Sequence, residues 1–191
     1  MFASPSSRRK STELLFVAAL SLAGCTSHPW TAPERDGVIF KPETARVCID
    51  LPIDQQLPAV RAVKGWDRAL HQWRHVEAVD AGVVQGWYEE WCDYVVHETE
   101  SEPVSGDIDH VLAWASSVGG TDISMRRGYY EVDTTGILLH ELGHAFGAQH
   151  MAGTLMNPTW SKVQYACPDA PTVAQVAAWN RVNLSMLCWC E

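Results

Sequence analysis

Three histidines and a glutamate fall within one short stretch, His140-Glu-Leu-Gly-His-Ala-Phe-Gly-Ala-Gln-His150. On an α-helix His140 and His144 lie one turn apart on the same face, so both imidazoles can reach a single metal ion. Glu141 sits roughly 100° further round the helix, close enough to serve a water on that metal without ligating it. A helix continued to position 150 would carry the third histidine away from the ion. Gly147 supplies the remedy, because glycine tolerates positive φ, ends the helix and lets the chain turn back. Three neutral imidazoles plus one open position form the tetrahedral arrangement of a catalytic zinc rather than a closed structural one. In shuffled chains of this composition the five fixed positions have an expected count of roughly 6 × 10⁻⁵, so chance is a poor explanation.

The elements around this stretch must hold it in place. Leu138, Leu142, Ala145 and Phe146 fall on the side of the helix opposite the His140/His144 edge, which predicts one face on a core and the other presenting the metal. Asp133 or Thr134 is placed to start that helix, which is expected to run to about Phe146. Upstream, the alternating run Arg46–Leu51 predicts a strand. From Leu57 the apolar residues Val60, Val63, Trp66, Ala69, Leu70 and Trp73 recur at helical spacing over about four turns. Strands are expected at Cys92–Glu98 and along Val111–Val118, the latter ending at Gly119-Gly120, with a shorter one at Tyr129–Val132. Pro171 to Val182 reads as a C-terminal helix with proline at its start.

The histidine stretch resembles the extended zinc signature of the metzincin peptidases. Leu155-Met156-Asn157-Pro158 follows closely and is similar to their Met-turn, and its wording is nearest the matrixin branch. The specific motifs lie between His140 and Pro158, within a likeness that spans about Arg46 to Asn183. The resemblance implies an α+β fold of the metzincin type. It would comprise a mixed, mostly parallel twisted sheet with an antiparallel edge strand, a zinc helix, a Met-turn and a C-terminal helix. It also implies zinc-dependent endopeptidase activity, with His140, His144 and His150 as ligands, Glu141 as catalytic base and Met156 beneath the metal. Leu112, Ala113, Trp114 and Ala115 would pair with an extended substrate by strand addition. Pro158 and Trp160 would wall the pocket past the scissile bond. Two positions depart from the matrixin pattern. Trp114 stands where a histidine binds a second, structural zinc, so that second zinc is expected to be absent. Trp160 stands in place of the usual tyrosine. A propeptide with an inhibitory cysteine motif is likewise not expected.

Charge and leader bear on partners. The formal net charge is −9, and residues 1–24 hold Arg8, Arg9 and Lys10 against Glu13 alone, so the remainder is more acidic still. Nucleic acid is therefore an unsuitable partner, because phosphate binding needs clustered lysine and arginine. The basic patch followed by a short apolar run to Ala23 fits a secretory signal, and Leu22-Ala23-Gly24-Cys25 resembles a bacterial lipobox with Cys25 as the lipidated residue. The expected organisation is a signal peptide over 1–24, a lipidated tether over 25–44 and a monomeric catalytic domain over 45–191. Membrane attachment would run through Cys25, and Thr26 after it favours the outer membrane or cell surface. Export implies disulfides among Cys48, Cys92, Cys167, Cys188 and Cys190, an odd set in which Cys188 and Cys190 compete for Cys167.

Weaker groupings have plainer explanations. His71 and His75 are also four apart, but without a third ligand they read as exposed helix residues. Asp107, Asp109 and His110 could take calcium or another metal, yet they lack a spacing motif and are read as a solvated turn. The nine tryptophans are read as core and cleft packing. Besides the endopeptidase, two further readings remain: a surface lipoprotein that binds zinc without turnover, and a zinc hydrolase of cell-wall peptides.

Overall fold

A computed structural model of the chain describes residues 34–35, 38–39, 44–80, 91–100, 111–127, 133–159 and 165–190. The leader, Cys25, the loop bearing Asp107, Asp109 and His110, the Tyr129–Val132 segment and Trp160 lie outside the described residues. Within the stretch read as tether, β1 (Glu34–Arg35) and β2 (Val38–Ile39) pair antiparallel.

The main body is mixed α/β. Its five-stranded sheet is built from β3 (Thr44–Asp50), β4 (His75–Asp80), β5 (Tyr94–Thr99), β6 (Ala113–Ala115) and β7 (Asp122–Arg126), in the order β4-β3-β5-β7-β6. The β3–β4, β3–β5 and β5–β7 pairs are parallel, and β6 joins β7 antiparallel at the edge. Three α-helices accompany the sheet among the described residues: α1 (Ile53–Leu70), α2 (Thr134–Ala145) and α3 (Ala170–Asn180).

Side-chain alternation fixes which face of the sheet is covered. Ala45, Val47 and Ile49 of β3, Val76 of β4, Val96 of β5, Ile123 and Met125 of β7 and Ala113 of β6 are all buried on one face. There all of them but Ala45 join Trp66 and Leu70 of α1 and Leu138, Leu139 and Leu142 of α2 in a single core. Trp66 is fully buried, donates its indole N–H to the Leu139 carbonyl at 2.9 Å and meets the Phe146 ring edge-on at 5.0 Å. Gly65 lets the two helices approach, since a Cβ there would meet the Leu139 side chain at 2.9 Å.

Several boundaries differ from the sequence reading. Helix α1 starts at Ile53, a turn before Leu57, and the apolar pattern missed that turn because its one buried residue is the polar Gln55. Ile53 and Leu57 are 82% and 59% exposed, so the apolar stripe that marks the helix only begins beyond them. Strand β4 follows close on the expected helix end, and its polar His75, Glu77 and Asp80 conceal it as an outer strand with Val76 alone buried. Strand β7 is a short central strand whose inward residues are Ile123 and Met125. The expected strand at 111–118 shortens to Ala113–Ala115, since a turn closed by Gly120 N–H on the Ser117 carbonyl follows, with Gly119 at φ 75°. Helix α3 matches the expected position, with Asp169 accepting from Thr172 N–H as its N-cap and Arg181 in the left-handed region at its end.

Two disulfides, Cys48–Cys92 and Cys167–Cys190, tie β3 to the approach to β5 and the start of α3 to the C-terminal segment. Neither bridge uses Cys188. No helix among the described residues is long and apolar enough to cross a membrane.

Trp66 joins α1, α2 and Phe146, so Trp66→Ala is expected to lower stability by about 3–5 kcal/mol, the usual cost of emptying a large aromatic core site. Urea denaturation of the disulfide-intact protein measures it.

Candidate metal centre

Helix α2 reaches His144 before ending in a Schellman turn. Gly147 N–H bonds to the His144 carbonyl at 2.9 Å, and Ala148 N–H reaches back to Gly143 at 2.8 Å. Gly147 takes φ 103°, as its place in the sequence required. A Cβ on it would run into the Trp179 side chain of α3, so both backbone conformation and space demand glycine.

The turn brings His150 back over the helix. The ring centroids of His140 and His144 are 4.8 Å apart, those of His140 and His150 5.4 Å, and those of His144 and His150 4.6 Å. One ligand atom from each ring lies within 4.8 Å of the others, a group that could hold a metal ion. His140 Nδ1 lies 2.8 Å from the Leu155 carbonyl and His144 Nδ1 2.8 Å from the Ala148 carbonyl. A carbonyl only accepts, so each Nδ1 carries the proton and each neutral ring keeps its Nε2 lone pair for the ion. His144 Nε2 and His150 Nε2 face each other at 3.0 Å. Burial pushes the His140 imidazolium pKa down to about 4, against the Leu155 bond, and the neighbouring His144 and His150 push the same way. His144 is also lowered, chiefly by burial. Rings held neutral in this way are what metal ligation needs, so the donor set fits zinc.

Glu141 is only 7% exposed, and its Oε2 accepts the Ala115 main-chain N–H at 2.8 Å. Burial raises its carboxyl pKa to about 7, with that hydrogen bond opposing the rise. One oxygen is thus anchored to the edge strand.

Met156 is fully buried, with its thioether against Gly143, the residue preceding His144. A Cβ at position 143 would overlap that sulfur, which explains the glycine inside the histidine stretch. The surrounding turn closes on itself: Met151 N–H bonds to the Met156 carbonyl, Thr154 Oγ1 donates to the Met151 carbonyl, and Met156 N–H bonds back to Thr154 Oγ1. Asp169 supports it from α3, accepting Leu155 N–H at 2.8 Å while its other oxygen caps the helix.

Of the substrate-contact candidates, Ala115 lines an open cleft of about 420 Å³ with Ser117, Val118, His144, Gln149 and His150. Leu112 and Ala113 pack toward the core, Trp114 pairs with Ser124 of β7, and Pro158 is exposed. Ser117 and Val118 belong to the run expected as an edge strand and reach the cleft from the turn after β6 instead, while Gln149, next to His150, carried no signal of its own. The expected ligand set and Met156 do come together. Comparisons with protein-family models and with curated proteins find no match to this chain.

Gly147→Ala is expected to destabilise the metal-free protein by about 3 kcal/mol, combining a strained φ with a steric overlap. It should also weaken zinc binding. Chemical denaturation and a chelator-competition titration read the two effects separately.

Proposed function

We propose that this chain is a zinc-dependent endopeptidase with a metzincin-type catalytic domain, nearest the matrixin branch. The observation that carries the reading is the conjunction at α2. Three imidazoles converge, His140 and His144 with Nδ1 bonds that leave their Nε2 lone pairs facing the group, and a buried carboxylate beside them is fastened to the open edge strand.

When bound, zinc supplies Lewis acidity, polarising a carbonyl and making a water more acidic. His140, His144 and His150 would hold it. Strand β6 pairs with β7 on one side only among the described residues. Ser116 N–H and the Leu112 carbonyl bond toward β7, so by antiparallel alternation Ala113 and Ala115 turn their main-chain groups to the open side. An extended polypeptide laid antiparallel there would add as a strand and have its scissile bond presented to the histidine face. Glu141, with Oε2 held by Ala115, takes the proton from the attacking water at Oε1 and returns it to the leaving amine. Burial favours the protonated carboxyl, which eases its uptake of that proton.

The lipobox-like Cys25, the outer-membrane or surface location and the monomeric state belong to this proposal, supported by the leader sequence and by two disulfides suited to an oxidising compartment.

Glu141→Gln is expected to bind zinc as wild type and to lose about 10²–10⁴-fold in kcat on unfolded casein, the range of a general acid–base group. Removing the metal with a chelator should abolish cleavage, and adding zinc should restore it. Casein hydrolysis by the variant at the wild-type rate would sink the mechanism. Zinc bound at stoichiometry without any cleavage of casein would favour a binding lipoprotein, and digestion of purified cell wall instead would favour the cell-wall hydrolase.

A further inference from the structure

The three histidines are not equally supported. His140 and His144 sit on α2 and are each oriented by a carbonyl at Nδ1. His150 is exposed, lies beyond the helix, and among the described residues its ring bonds only to His144. Its direction must come from the main chain on either side. On the C-terminal side, Met151 is pinned at both N–H and carbonyl by the Met156 turn. On the N-terminal side, Gln149 N–H donates to Gln175 Oε1 at 2.9 Å, while Gln175 Nε2 donates to the Gln149 carbonyl at 3.2 Å. A primary amide is complementary to the N–H and C=O of one extended residue, so this single side chain fastens both polar groups of Gln149. The rest of that helix face agrees: Trp179 packs on Gly147, and Asn180 Nδ2 donates to the Phe146 carbonyl at 2.9 Å.

We infer that Gln175, on α3, is a positioning residue for the third metal ligand, holding His150 in register with His140 and His144 through its two bonds to Gln149. This rests on the zinc-binding part of the proposed function and not on peptide cleavage. Gln175 meets neither metal nor substrate. It acts by reducing the freedom His150 would otherwise lose on ligation.

The test titrates Zn²⁺ into the metal-stripped chain against a competing chelator for wild type, Q175A and Q175E. Main-chain amide exchange from Gln149 to Met151 is followed in the metal-free proteins. Q175A is expected to bind Zn²⁺ about 10- to 100-fold more weakly, the range seen for lost outer-shell support. Exchange at Gln149 to Met151 should quicken while the amides of α2 and α3 keep wild-type protection. Q175E accepts from Gln149 N–H but cannot donate to its carbonyl, so its affinity should fall between the two. A Q175A affinity within about two-fold of wild type overturns the inference. Equal loss of protection along α2 also overturns it, because Gln175 would then be a general packing residue. A chain that binds Zn²⁺ in this Gln175-dependent way yet cleaves no polypeptide rejects the endopeptidase reading and supports the positioning role.

Discussion

A neutral imidazole has one N–H and one lone pair, and a main-chain carbonyl can only accept. The centre depends on that asymmetry. Where Leu155 and Ala148 turn their carbonyls to the Nδ1 atoms of His140 and His144, tautomer and ring direction are settled together, and both Nε2 lone pairs point to the same place. The two carbonyls come from two different turns. Ala148 belongs to the Schellman end of α2, and Leu155 belongs to the turn around Met156. The helix end and the Met156 turn are therefore parts of one device, and a shift in either would rotate a ligand.

The device is in turn gripped on three sides. Trp66 holds α2 from α1 through the Leu139 carbonyl. Met156 fills the space left by Gly143, so the turn sits directly under the ligand-bearing face. Ala115 ties Glu141 to β6. Each contact lies within or beside the core that covers one face of the sheet, so the site inherits the rigidity of close packing rather than that of a surface loop. His150 is the exception, which explains why the support for it comes from a polar clamp and not from burial.

What could be read from the residues follows the same division. The histidine-bearing helix, its apolar face and its end at Gly147 were legible because they are set by local periodicity and by the conformational demand on one residue. The edge strand and the C-terminal helix came through for similar reasons, though the strand's antiparallel direction was implied only by the resemblance. Strand β4 did not, since a strand at the sheet's outer edge with His75, Glu77 and Asp80 lacks an apolar run. Nor did the roles of Gly143, Asp169 and Gln175. Gly143 is glycine because of a sulfur thirteen positions later, and the other two act on main-chain atoms of a distant turn. Nothing in local spacing encodes such contacts. The two disulfides settle what the odd cysteine count left open, pairing Cys167 with Cys190 rather than Cys188.

Strand β6 has a further consequence. An edge with unpaired main-chain groups invites any β-prone segment, including the same edge of a neighbouring copy, and so risks self-assembly. Here the hydrogen-bonding run is three residues, about 10 Å at the rise of a strand, and the turn through Ser117 and Gly119 breaks it off. One outward N–H, that of Ala115, is already committed to Glu141. Under the proposed function an edge this short would register a few residues of a single guest chain, yet it offers too little to template a growing sheet. Its brevity keeps a receptive edge from becoming an adhesive one.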